Sequence, residues 1–467
     1  MDAFRPGSDD EPVGPPAWLP PGLPAVVPPP LPPPPALRPT SPPRRRRGWP
    51  YLVLALILPF AAAGLSKVAR HHGPAATDRP AANATTTAPI AVATTSRSSA
   101  PTTAWDALDH LLRTQAIALV AGDEKGFMAA VDPKAPRAVA DFERLYRNLR
   151  ALRVAAWTPS LAANPGSLDG STTVDVSITF CLVKPDCDGN QTVMTVTVAP
   201  HDGGPLIEAY TPPTHGTYSP YPWEVASLHV VVGKRVMVAG ASESSHLAEV
   251  LPVAEEAAKV DDRYAQWGKP TMYVVYLAGA SEATTWFGGM TDGAYGEEFP
   301  VSRDDNELIV RLPSYLVGGH VRGVRTVLQH EMGHAATLIG ALSYREDSLV
   351  EGIATYISFI DNPDWPANPD LPDLTKYVRS GRWSGQCYLP VDVTSSDNTE
   401  IGAGYDLGYL TIKYLVSVYG KTKMLAFWAD VVRLGGTLER SAVDALGKSW
   451  ESVNAGCATY VHHTVHA

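Results

Sequence analysis

His330, Glu331 and His334 fall within one stretch, Gln329-His330-Glu331-Met332-Gly333-His334, and their types and spacing suit metal-assisted hydrolysis. Val324, Val327 and Leu328 recur ahead of them at helical spacing, so the stretch is expected on a helix. Residues four apart on a helix share a face and stand about 6 Å apart along the axis. Two imidazoles placed that way reach one ion. Glu331, next to the first histidine, can lean over the ion's open side and hold a water as its general base.

A catalytic zinc site takes three protein ligands and leaves the fourth position to water. Downstream, Ile339-Gly340 reads as a helix stop. Ser348 then opens a second helical run, Ser348-Leu349-Val350-Glu351-Gly352-Ile353-Ala354-Thr355-Tyr356. If that helix returns beside the first, Glu351 in its first turn faces His330 and His334. The same residues also fit a capping box, with Glu351 bonded back to the Ser348 amide and no metal held. Glu346, Asp347 and Asp361 are further oxygen ligands if the turn runs differently.

His330-Glu331-x-x-His334 followed by Glu351-Gly352-x-Ala354 resembles the gluzincin metallopeptidases, the group that holds thermolysin and the aminopeptidases. The resemblance implies zinc bound by His330, His334 and Glu351, with Glu331 as base. Sixteen residues separate His334 from Glu351, where the aminopeptidase branch usually has eighteen. Tyr405-Asp406-Leu407-Gly408 looks like the family's Tyr-x-x-Gly helix, which implies Tyr405 as hydrogen-bond donor to the developing oxyanion. The resemblance covers residues 300 to 420. The aminopeptidase motif Gly-Ala-Met-Glu-Asn, which binds a substrate amino terminus, is absent. In the family, the strand ahead of the zinc helix is a sheet edge that pairs with extended substrate. Glu307-Leu308-Ile309-Val310-Arg311-Leu312 is the strand expected in that place.

The elements that must position these residues follow from the rest of the chain. Residues 1–47 are proline-dominated, part of a total of 43 prolines, and read as an extended cytoplasmic tail that serves as a spacer, with docking into a partner's aromatic groove as the alternative. Arg44-Arg45-Arg46-Arg47 precedes the apolar run Trp49 to Leu65, so residues 48–66 are expected as a membrane anchor with a cytoplasmic N-terminus. A leader cleaved at Ala61-Ala62-Ala63 is the alternative, against which stands the length of the segment before the run. Residues 67–104 form an Ala/Thr/Ser/Pro stalk.

Residues 105–213 read as an accessory α+β module. Leu108, Leu111, Leu112 and Leu119 recur at helical spacing, as do Phe142, Leu145, Leu149 and Leu152. Val174, Val176, Ile178 and Phe180 then alternate, as do Met194, Val196 and Val198. Helices followed by a curved sheet resemble the nuclear-transport-factor-like cone fold. Residues 214–467 make up the gluzincin-like domain, with a hairpin through Gly233-Lys234, a helix from about Leu247 to Trp267 and a strand at Met272 to Tyr276. Beyond residue 360 the chain reads as loop-rich until a helix near Gly404, with His462, His463 and His466 at a frayed end.

The expected fold class is therefore α+β, in a membrane-anchored chain of two folded domains. Cys181–Cys187 and Cys387–Cys457 are the simplest disulfides outside the cytosol, and free buried thiols the alternative. A net charge of −10 without a basic stripe argues against a nucleic-acid partner. The implied activity is an extracytoplasmic zinc peptidase acting on a peptide or protein. The alternative is a non-catalytic surface binding or scaffold protein whose metal serves folding. Glu331 separates the two, because a structural zinc site has no use for it.

Overall fold

The computed structural model describes residues 103–161, 168–213, 220–241, 246–290, 294–299, 307–311, 322–341, 348–362, 371–389 and 397–466. The proline-rich tail, the anchor and nearly all of the stalk lie outside them. Among the described residues no helix is long and apolar enough to cross a membrane. The described chain is α+β, with two sheets and helices around and after them.

Three helices come first. Helix α1 (Ala104–Ala121) opens with a capping box in which Thr103 Oγ1 accepts from the Asp106 N–H and the Asp106 carboxylate accepts from the Thr103 N–H. Helices α2 (Glu124–Met128) and α3 (Pro136–Ala151) follow. They bury Leu108, Leu119, Phe127, Phe142, Leu145 and Leu149 against an antiparallel meander of β1 (Val154–Leu161), β2 (Thr172–Leu182), β3 (Asn190–His201) and β4 (Gly204–Thr211). The alternating apolar residues of β2 and β3 face the helices, and the Cys181–Cys187 disulfide ties the turn between those strands.

The segment leading to the second sheet is part of the core. Helix α4 (Pro222–Val225) buries Trp223 completely, stacked on Tyr221 and edge-on to Phe180 and Trp157. Asn148 of α3 clamps it: Nδ2 donates to the Trp223 and Ala226 carbonyls, and Oδ1 accepts from the Leu228 N–H. Tyr221, Trp223 and Phe287 join the first module's core to one face of the second sheet, at Met237, Ala239, Val274, Tyr276 and Ile309.

That sheet comprises β5 (Leu228–Val232), β6 (Val236–Ala241), β7 (Tyr273–Ala278), β8 (Gly296–Phe299) and β9 (Glu307–Arg311), in the order β5-β6-β7-β9-β8. Strands β6, β7 and β9 run parallel, and the edge strands β5 and β8 antiparallel to them. The strand directly ahead of the zinc-motif helix, β9, is thus interior. The edge is β8, whose sequence Gly-Glu-Glu-Phe has too few apolar residues to show a period of two. Helix α5 (Leu247–Asp261) stops six residues short of Trp267. Together with α7 (Arg322–Leu338) it covers the sheet's other face. The short α6 (Ala280–Ala283) follows β7.

The remainder is helical: α8 (Ser348–Phe359), α9 (Pro372–Arg379), α10 (Asn398–Tyr419), α11 (Lys421–Trp428), α12 (Leu438–Ser441) and α13 (Trp450–His466). Helix α9 interrupts the stretch read as loop; Pro372 fits its first turn, where a missing N–H costs nothing. Helix α10 starts at Asn398, ahead of Gly404, because the Asp397 carboxylate caps the Thr399 and Glu400 N–H groups. The C-terminal end is not frayed. Val461 and Val465 are buried, His462 packs on Trp383 at 5.0 Å, and the Cys387–Cys457 disulfide holds α13.

Candidate metal centre

Helix α7 divides its residues by face. Val324, Leu328, Met332 and Ala335 pack on the second sheet, while His330 and His334 point the other way, towards α8. Helix α8 is buried nearly all round, and side chains bind it to α7 at several points. Gln329 Nε2 donates to the Ile357 and Ile360 carbonyls, and Gln329 Oε1 accepts from Arg325 Nε. Asn362 Nδ2 donates to Thr326 Oγ1 and to the Ser358 carbonyl. At the C-terminal end of α7, Arg433 donates to the Thr337 and Ile339 carbonyls, the favourable place for a cation on a helix.

This packing brings His330, His334 and Glu351 together. His330 Nε2 and His334 Nε2 are 3.1 Å apart, and Glu351 Oε2 lies 3.2 Å from the first and 3.4 Å from the second. A tetrahedral zinc ion with bonds of about 2.0–2.1 Å spaces its ligands about 3.3–3.4 Å apart, so the donor set fits. All three side chains are about 95 % buried. His334 Nδ1 is buried without a hydrogen-bond partner among the described residues.

The capping-box alternative for Glu351 is not what forms. The Ser348 N–H donates to the Leu389 carbonyl, the Ser348 hydroxyl accepts from the Leu389 N–H, and Glu351 turns to the imidazoles. Of the rival ligands, Asp361 points to solvent and pairs with Arg263 at 2.8 Å, while Glu346 and Asp347 lie outside the described residues. His462 and His463 belong to neither of the two groups of metal-compatible side chains among the described residues, and the His466 side chain lies outside them.

Glu331 is buried beside the three candidate ligands, on the flank of α7 that meets β8. A Cβ placed on Gly296 would stand 2.5 Å from Glu331 Oε1 and 2.7 Å from Val327 Cγ1, so only glycine lets the edge strand lie this close to the carboxylate. Sequence reading missed Gly296. Its signal is a lone glycine within a strand, which often marks a close approach by another group.

Tyr405 also arrives at the site. Its ring centre is 6.3 Å from that of His330, and its side chain is buried. What brings it there is a contact between two glycines. Gly352 follows the candidate ligand Glu351, and Gly408 is one turn beyond Tyr405. A Cβ on Gly352 would meet the Gly408 backbone at 2.4 Å, and a Cβ on Gly408 would meet the Ser348 carbonyl oxygen at 1.9 Å. Helices α8 and α10 therefore cross backbone to backbone.

No known protein-family model matches this chain, and no curated protein matches it in sequence.

Proposed function

We propose that the chain is a gluzincin-type zinc peptidase, anchored by its N-terminal apolar segment with the catalytic domain outside the cytoplasm. The observation that carries the reading is the convergence of His330, His334 and Glu351 at a tetrahedral ligand spacing, with Glu331 buried next to them. These three residues would hold the ion, which when bound supplies a Lewis acid that lowers the pKa of a water towards about 7 and polarises a carbonyl.

The chain's own groups do the rest. Glu331 takes the proton of the attacking water and returns it to the leaving amine, a role that contributes about 10²- to 10⁴-fold. Tyr405 donates to the oxyanion that forms at the attacked carbonyl. Strand β8 passes over Glu331, so an extended peptide running along it would have its register set beside the general base. Burial of the ligands excludes bulk water from the side of the site that faces the core.

The test is zinc content and hydrolysis of an unfolded protein substrate by the full chain and two variants. Glu351→Ala is expected to lose zinc or bind it far more weakly. Glu331→Gln is expected to keep about one zinc per chain and lose at least about a hundredfold in turnover. Zinc retained by Glu351→Ala would remove that residue from the ligand set. Hydrolysis unaffected in Glu331→Gln would remove the peptidase reading and leave a metal that serves folding.

A further inference from the structure

A second group of metal-compatible side chains lies in the first module, on three segments that the fold draws together. Strand β3 ends in His201. Strand β4 carries Glu208 at a bulge: Ile207 pairs with Val198 and Ala209 with Thr197, so Glu208 has no partner across the ladder and its side chain is re-aimed. The loop after α2 is zipped to β4 by the Asp132 N–H donating to the Ile207 carbonyl and the Ile207 N–H donating to the Ala130 carbonyl. That pairing sets Asp132 beside Glu208.

The three side chains face one gap. His201 Nε2 is 3.9 Å from Asp132 Oδ2 and 4.0 Å from Glu208 Oε1, and all three ligand atoms lie within 4.8 Å of one another. These separations are too long for hydrogen bonds. The remaining carboxylate oxygens are already engaged away from the gap: Asp132 Oδ1 accepts from the Lys134 N–H and Glu208 Oε2 from the Ser171 hydroxyl. The Asp132 side chain is only 9 % exposed, and its Oδ2 faces the His201 imidazole across the gap. Outer donors that fix two carboxylates while their other oxygens converge are the usual support of a metal site.

We propose that Asp132, His201 and Glu208 bind a divalent cation that accepts both nitrogen and oxygen ligands, of the Mn2+ type. An imidazole disfavours Mg2+ and Ca2+, which take oxygen ligands. His201 and Glu208 are each about one-third exposed, which leaves the solvent side open for water ligands. The ion would staple the β3–β4 turn to the loop after α2. It is separate from the centre on α7 and does not depend on the peptidase reading.

The experiment is Mn2+ titration of the full chain, followed by the loss of the free-ion paramagnetic resonance signal. Wild type is compared with His201→Ala, Glu208→Gln and Glu351→Ala. His201→Ala and Glu208→Gln are each expected to bind one ion fewer than wild type, or to bind it about a hundredfold more weakly. Glu351→Ala is expected to retain the ion that those two variants lose. Both test positions are partly exposed, and circular dichroism of the metal-free variants checks that the fold is intact. Equal Mn2+ binding by wild type and both variants would overturn the proposal and leave His201 in a simple ion pair. Ca2+ binding that survives His201→Ala would overturn the choice of ion and the ligand role of the imidazole.

Discussion

Gly408→Ala should unsettle the candidate centre without touching any of its ligands. The added Cβ would stand 1.9 Å from the Ser348 carbonyl oxygen and 2.9 Å from Gly352 Cα. Ordinary van der Waals contact begins near 3.4 Å, so α8 and α10 would have to part by about 1.5 Å along that line. Neither obstacle is a side-chain end that can swing away, because both are helix backbone. Alanine is the better helix former by about 1 kcal/mol. Overpacking of this kind costs about 1–3 kcal/mol and more against backbone. A net destabilisation of about 2 kcal/mol is expected, with Tyr405 carried away from His330. Gly333→Ala is the control on the neighbouring contact. There the new Cβ would lie 3.4 Å from Ala354 Cα and 3.5 Å from Ile357 Cδ1, ordinary distances, so the propensity gain should survive and stability should hold or rise by up to about 1 kcal/mol. Urea unfolding of the two variants at matched slope reads the difference. If Gly408→Ala were as stable as Gly333→Ala, the backbone-to-backbone crossing and the placement of Tyr405 built on it would be wrong.

Two further outcomes are expected. Tyr405→Phe should leave zinc content unchanged and lower turnover by about a hundredfold, the effect of removing one oxyanion donor worth about 3 kcal/mol; an unchanged turnover number would withdraw the role. Glu224, wholly buried in the connection between the sheets, should make stability depend on pH. Burial pushes its carboxyl up to about 7, against the Thr192 hydroxyl and the Tyr221 N–H, which favour the charged form. A folded-state value above the ordinary 4.5 means that the folded chain holds the proton more tightly than the unfolded chain. The stabilisation is therefore fully present below about pH 4.5 and is lost as pH rises through about 7, amounting to about 3 kcal/mol. Urea midpoints across that range should fall with rising pH in wild type, and Glu224→Gln should flatten this part of the profile.

Much of the framework was legible because it is periodic. The helices and strands of the first module, the hairpin after residue 227 and the α7–α8 pair all follow apolar spacing and glycine stops, and Gly340 adopts the left-handed φ of 75° that its position requires. The pairing of His330 and His334 was legible because two histidines four apart on a helix share a face. Glu351 was not decided by spacing, since a capping residue and a ligand look alike until the chain's return is known. What removes the capping box is Leu389, distant in sequence, which takes the Ser348 N–H and hydroxyl. Strand β8 was missed because a four-residue edge strand carries almost no pattern, and its contact with Glu331 depends on tertiary packing at Gly296. The Asp132, His201 and Glu208 group was missed for a related reason, as a β-bulge and a single bridge bring its members together.

The bonds between Ser348 and Leu389 also tie the candidate centre to residues made late in synthesis. The start of α8 is held by residues far downstream: Leu389 pairs with Ser348, Trp428 Nε1 donates to the Leu349 carbonyl, and Cys387 beside Leu389 is bonded to Cys457 in the last helix. A growing chain releases His330 and His334 well before any of these. At ribosomal speeds of about 5–20 residues per second, the two histidines precede Cys457 by roughly ten seconds. Until Cys457 emerges, the start of α8 lacks the last of the ties that hold it beside α7. A chain cut short before its final helix would keep the bonds from Leu389 and Trp428 to α8 and lose the disulfide.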